Sequence, residues 1–208
     1  MAVPPSPTVF VVDDEAPVRR ALSRMLRANR FAVATFASSK EFLGQYDPDA
    51  SGCLVLDIMM PGNGLELQRV LQKKGCTLPI IFLTGYGDVS KSVQALKGGA
   101  IDFLTKPVND QSLLRAVRAA IEKNRVTRQE QTQVSEICSR LATLTPRERQ
   151  VLEHIVSGEL NKQIAGHLGI TQRTVKAHRA RLMAKMKVDS VAKLVCLANR
   201  CGITGSSS

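Results

Sequence analysis

The first 123 residues alternate between two hydrophobic rhythms. Short runs of β-favouring residues stand at Thr8–Val12, Ala32–Phe36, Cys53–Leu56, Pro79–Leu83 and Ile101–Leu104. Between them apolar residues recur at helical spacing, as in Ala21, Leu22, Met25 and Leu26. Five strands alternating with about five helices predict an α/β fold: a five-stranded parallel, doubly wound sheet covered on both faces. In such a sheet the site lies outside the carboxyl ends of the strands. Helix starts are marked as well. Ser38-Ser39-Lys40-Glu41 reads as a capping box, and Pro17 suits the first turn of a helix.

Residues 124–140 are polar, Gln-rich and free of Gly and Pro, which predicts a helical linker continuing the last helix of residues 1–123. Over 141–208 the pattern is purely helical, a separate all-α domain. Thr145-Pro146-Arg147-Glu148 starts a helix that Gly158 stops. A short helix over Asn161–Leu168 ends at Gly169, Thr171 caps a longer one over Gln172–Lys187, and Ser190–Arg200 forms the last.

Charge sharpens this division. Residues 1–123 hold 15 Lys and Arg against 12 Asp and Glu, whereas residues 124–208 hold 14 against 6. The excess sits in the helical part, as expected of a surface that meets a polyanion. No apolar run reaches the roughly 18 residues needed to span a bilayer, and Met1–Pro7 lacks the features of a secretory signal. Cys53, Cys76, Cys138, Cys196 and Cys201 are scattered, odd in number and without a C-x-x-C pair. They read as packing residues in a reducing cytoplasm, with neither a disulfide framework nor a cysteine zinc site.

Candidate chemistry collects where the strands end. Asp13 and Asp14 follow the first strand and Asp57 follows the third, so three carboxylates should share one cavity. Crowded like charges need a cation or a proton to compensate them. Oxygen-only ligands suit Mg²⁺ (or Mn²⁺). Lys106 closes the fifth strand and brings a point positive charge, and Thr84 ends the fourth with a hydroxyl.

Over roughly residues 5–123 the chain resembles the receiver domain of two-component response regulators. The matching segments are Val11-Val12-Asp13-Asp14-Glu15, Leu56-Asp57-Ile58-Met59-Met60-Pro61, Thr84-Gly85-Tyr86-Gly87-Asp88 and Lys106-Pro107. The resemblance implies that Asp57 accepts a phosphoryl group from a histidine kinase. It implies that Asp14 holds the metal directly, Asp13 through water, and the Met59 backbone carbonyl beside them. Thr84 and Lys106 would contact the acyl phosphate, Thr84 and Phe103 would form the switch, and Lys106-Pro107 falls where the family has a cis peptide. The helix over Ser90–Gly99 and the fifth strand would form a dimer surface, with Lys97 and Asp102 as partners across it. Two departures lie beside the phosphate: a loop after Asp57 about one residue short, and Met59 where many relatives carry Arg or Asn. They bear on phosphoryl lifetime and kinase fit, not on reaction class.

The helix over Gln172–Lys187 carries Arg173, Lys176, Arg179, Arg181, Lys185 and Lys187 and no acidic residue, while Val175, Leu182 and Met186 recur at core spacing. One basic face and one buried face suit a recognition helix in a major groove. Residues 143–200 resemble the LuxR/FixJ/NarL helix-turn-helix family. The resemblance rests on Leu144-Thr145-Pro146-Arg147-Glu148-Arg149, Asn161-Lys162-Gln163-Ile164-Ala165 and Thr174-Val175-Lys176-Ala177-His178. It implies base-facing Lys176, Ala177 and Ala180, and phosphate contacts from Lys162, Thr171, Thr174, His178 and Arg179, with Arg173 on the same surface. His178 reads equally as a packed residue, and His154 and His167 as structural. The last helix would pair two DNA-bound domains.

Together these features point to a cytoplasmic transcription regulator of the FixJ branch, and not to an enzyme beyond self-phosphorylation and slow self-dephosphorylation. Phosphorylation would drive homodimerisation and binding to double-stranded promoter DNA, with activation through RNA polymerase, by analogy with relatives. The alternative in the same class is a DNA-binding regulator that ignores phosphorylation. A Mg²⁺ phosphohydrolase using Asp57 on external substrates is disfavoured by the lack of a cap insertion and by the basic C-terminal part.

Overall fold

The structure, a computed structural model, describes residues 6–85 and 98–204. Contacts divide the chain into two compact units, Met1–Arg128 and Gln129–Ser208. In the first, β1 (Thr8–Val12), β2 (Ala32–Phe36), β3 (Gly52–Asp57), β4 (Ile80–Thr84) and β5 (Asp102–Thr105) form one parallel sheet in the order β2-β1-β3-β4-β5. The helices among the described residues are α1 (Ala16–Ala28), α2 (Ser39–Gln45), α3 (Gly64–Lys73) and α4 (Asp110–Ala142).

The two-residue alternation of the strands builds two cores. Val9, Val11, Cys53, Val55, Ile81 and Leu83 pack with Leu22 and Leu26 of α1 and with Leu113 and Val117 of α4. Val12, Leu54, Leu56 and Phe82 point the other way, onto Phe42 of α2 and Leu67 and Leu71 of α3. Buried on both faces, β3 and β4 therefore read as continuous apolar runs.

Strand edges differ from expectation by one residue at β3, β4 and β5. Pro79 has no N–H to enter the ladder, so β4 begins at Ile80. Pairing of Asp57 with Leu83 and of Thr84 with Thr105 carries both functional candidates inside the strands. Pro17 occupies the first turn of α1. Ser38 caps α2 by accepting from Glu41 N, but the Glu41 carboxylate returns to Ala37 N, not to Ser38. The expected helix over Ser90–Gly99 lies outside the described residues except for Gly98 and Gly99, which form a turn.

Asn124, expected to begin the linker, is buried in the first unit. Its Oδ1 accepts from Gly52 N at 3.0 Å and its Nδ2 donates to Thr77 O at 2.9 Å.

The second unit comprises the end of α4 with α5 (Pro146–Val156), α6 (Asn161–Leu168), α7 (Gln172–Met186) and α8 (Val191–Arg200). Thr145 and Glu148 form a reciprocal capping box with Pro146 in the first turn, as the sequence predicts. Gly169, at φ 63°, ends α6 in the left-handed conformation, and Thr171 and Ser190 cap α7 and α8. Lys187 is not helical: at φ 54° it is the left-handed residue that stops α7 at Met186. Ile137, Leu141, Leu152, Ile155, Ile164, Val175, Leu182, Met186 and Leu194 form the core.

The cysteines correct one expectation. Cys138 of α4 and Cys201, just past α8, are joined in a disulfide, 63 residues apart in sequence. The helices between them return the chain to its starting point, a closure that no local spacing signals. Cys53, Cys76 and Cys196 are free, and burial pushes the Cys53 thiol up to about 12.

Candidate functional site

Adjacent parallel strands bring the carboxylates together. Val12 and Leu56 are paired across β1 and β3, so the next residues, Asp13 and Asp57, emerge at the same level of the sheet. Both are buried, at 0% and 3% exposure, while Asp14 stays exposed. One carboxylate oxygen from each of the three lies within 4.8 Å of the others. Asp13 Oδ1 accepts from Glu15 N at 2.8 Å, and Asp57 Oδ1 accepts from Met59 N at 3.1 Å.

Lys106, one residue past β5, reaches into this group. Its Nζ is 2.8 Å from Asp13 Oδ2, 3.0 Å from Asp57 Oδ2 and 3.1 Å from Glu15 Oε1. The sequence marks Glu15 only as part of a motif; the structure makes it a third partner of the lysine. The Lys106-Pro107 peptide is cis. Thr84 is buried beside the site and its hydroxyl donates to Gly85 O at 3.2 Å. Phe103 is half-buried against the α2/α3 core. Asp102, at the start of β5, accepts from Phe103 N at 2.8 Å. Tyr86, Gly87, Asp88 and Lys97 lie outside the described residues.

The charges oppose one another usefully. Burial raises the Asp13 carboxyl above its usual range, although Lys106 and the Glu15 amide pull it down. Burial works to lower the Lys106 ammonium, but hydrogen bonds to Asp13, Asp57 and Glu15 outweigh it and hold the group charged. Asp13 Oδ2 is buried and faces the Lys106 ammonium at 2.8 Å. Three carboxylates gathered this closely, an all-oxygen set, fit a hard divalent cation.

The loop after Asp57 is shaped for close approach. A Cβ on Gly64 would lie 2.3 Å from the Asp57 carbonyl oxygen, so only glycine fits there. Asn63 just before it takes φ 48° and caps α3 by accepting from Leu65 N. Met59 presents a side chain 59% exposed at the rim.

In the second unit, Arg173, Lys176, Ala177 and Ala180 are exposed on α7, with Lys162 on α6 and Thr171 in the turn between. Val175, Leu182 and Met186 are fully buried, as the spacing predicts. Thr171 accepts from Thr174 N at 3.1 Å, which positions both hydroxyls at the start of α7. Arg179 is half-buried and donates to Asn161 Oδ1 at 3.0 Å. His178 is half-buried, with Nδ1 buried and unpartnered. Lys185 leaves the basic face altogether, bonding Glu148 at 2.6 Å and Thr143 O at 3.0 Å.

Comparison with known proteins covers both units. Residues 9–118 match the response regulator receiver domain family, and residues 142–198 match the bacterial regulatory proteins of the luxR family. The chain is 43% identical to nodulation protein W of Bradyrhizobium diazoefficiens, over 95% of its own length and 88% of that protein. It is 45% identical to the transcriptional regulatory protein FixJ of Rhizobium meliloti, over 92% and 94%. Among solved structures, the response regulator StyR matches with a TM-score of 0.82 and 44% identity, covering 94% of this chain and 99% of that one. Full-length FixJ from B. japonicum matches with a TM-score of 0.57 and 36% identity, over 96% and 98%.

Proposed function

The chain belongs to the two-component response regulators of the FixJ/NarL type, transcription factors with a receiver and a LuxR-type DNA-binding domain, and on that footing we propose that Asp57 is the phosphoacceptor that controls DNA binding. The observation that carries this reading is the gathering of Asp13, Asp14, Asp57 and Lys106 at one sheet edge.

In the proposed transfer an Asp57 carboxylate oxygen attacks the phosphorus of a phosphohistidine on the sensor kinase. The new O–P bond forms as the N–P bond breaks, and the imidazole leaves. Lys106 stays charged throughout and neutralises phosphoryl oxygens, and the Thr84 hydroxyl turns from Gly85 O toward the acyl phosphate. Asp13, Asp14, Asp57 and the Met59 carbonyl would hold Mg²⁺ or Mn²⁺, whose charge favours phosphoryl transfer. Phe103 follows Thr84 as the switch, and the receiver population shifts toward a dimerising form. Asp102, and Lys97 outside the described residues, belong to that dimer surface.

Dimerisation sets two α7 helices on half-sites about one helical turn apart, roughly 34–36 Å. Lys176, Ala177 and Ala180 face bases, while Lys162, Thr171, Arg173, Thr174, His178 and Arg179 serve the backbone. The protein acts in the cytoplasm, most simply by recruiting RNA polymerase. Incubation with a small phosphodonor and Mg²⁺, followed by intact mass and DNA binding, tests the proposal. Wild type gains one phosphoryl group and binds promoter DNA more tightly. An Asp57→Asn variant that is still stimulated would reject it in favour of regulation without phosphorylation.

A further inference from the structure

Two histidines that the sequence marks as structural converge on one carboxylate. His154 is in the last turn of α5, His167 in the last turn of α6, and Glu159 in the connection between them. His154 Nδ1 lies 2.8 Å from Glu159 Oε1, and His167 Nδ1 lies 2.8 Å from Glu159 Oε2. The two rings stack with centroids 5.4 Å apart. One donor atom from each residue lies within 4.8 Å of the other two. Among the described residues, only this group and the acidic one at the sheet edge bring three such ligands together.

We propose that His154, Glu159 and His167 form a binding site for a borderline divalent transition-metal ion of the Zn²⁺ class. Two imidazoles and a carboxylate select such an ion over Mg²⁺ or Ca²⁺, which prefer oxygen alone. Three protein ligands leave a fourth position to water. Access needs no unfolding, because the side chains of His154, Glu159 and His167 are 26%, 22% and 61% exposed. Without metal, each Glu159 oxygen accepts one imidazole N–H, so the ligands are already aimed at a common centre.

Metal binding exchanges those two N–H···O bonds for bonds from Nδ1 to the ion. At each ring Nδ1 gives its proton to water, and the metal-bound imidazole carries a proton on Nε2, taken from water where Nε2 had none. The exposed His167 ring supplies the movement that closes the set to metal-ligand lengths of roughly 2.0–2.2 Å. The ion would then tie α5 to α6, the helix that packs on α7. The site belongs to the second unit and does not rest on the phosphorylation reading.

Calorimetric titration of Zn²⁺ into the full chain, with Mg²⁺ saturating, tests the site. One ion should bind with the same affinity in wild type and in Asp57→Asn. His167→Gln, at an exposed position, should weaken binding by at least the roughly 10–100-fold that loss of a mere supporting group costs a metal site. His154→Gln with His167→Gln should abolish it, with unchanged circular dichroism. Co²⁺ should give a visible spectrum free of thiolate charge transfer. Unchanged affinity in His167→Gln, a thiolate signature from a cysteine, or no binding below millimolar Zn²⁺ would overturn the proposal.

Discussion

At the sheet edge, Asp13, Asp57, Thr84 and Lys106 arrive from four separate segments, and the two aspartates are almost wholly buried. On α7, Arg173, Lys176, Ala177 and Ala180 arrive from one helix and all are exposed. The first arrangement puts the candidate charges inside the fold, where like charges and desolvation work against stability. The second keeps them in solvent and leaves stability to a different face, Val175, Leu182 and Met186. Burial thus ties the candidate site to the fold in one unit and keeps the two apart in the other.

Four experiments press on that contrast, from the largest expected effect to the smallest. Asp57→Asn should remove the phosphoryl adduct entirely while leaving basal DNA binding intact; an intact-mass gain in the variant would place the acceptor elsewhere. Leu182→Ala, at a fully buried position, should cost the second unit about 2–5 kcal/mol in urea unfolding. The receiver's transition should not move.

The third experiment predicts opposite signs. Asp13 is a buried carboxylate raised above its normal range, so its charged form burdens the receiver, and the burden lightens as pH falls through the raised value. Asp13→Asn, measured in EDTA at neutral pH, should therefore raise the receiver's unfolding midpoint. Glu148 is lowered, chiefly by its hydrogen bond from Lys185, and so contributes stability above the ordinary carboxyl range that is lost as pH falls through the depressed value. Glu148→Gln should lower the second unit's midpoint at neutral pH and flatten its acid dependence. Shifts of the same sign in both variants would break the comparison. Last and smallest, Lys162→Ala should weaken duplex binding alike across sequences and reduce the log–log salt slope by about 1. A sequence-dependent loss would move that lysine from phosphate to base.

Local signals were legible in the sequence. β1 and β2, the Thr145–Pro146–Glu148 start of α5 and the Gly169 stop of α6 all depend on neighbours within a few residues. The acidic group was legible because topology fixes where strand ends meet. What escaped depends on tertiary return of the chain. Glu15 reaches Lys106 and Lys185 turns to Glu148. Cys138 meets Cys201, and Glu159 bridges two histidines on different helices. None of these pairs is announced by a local motif. Asn124 escaped for the same reason: a polar residue in a polar run gave no hint that it is buried at 1% exposure.

That asparagine clamps one end of the sheet. By fastening Gly52, at the start of β3, and the carbonyl of Thr77, ahead of β4, to one amide on α4, it rivets the rim farthest from Asp57. Both strands thus enter the sheet from one fixed point, so Asp57 and Thr84 at their far ends arrive in a set register.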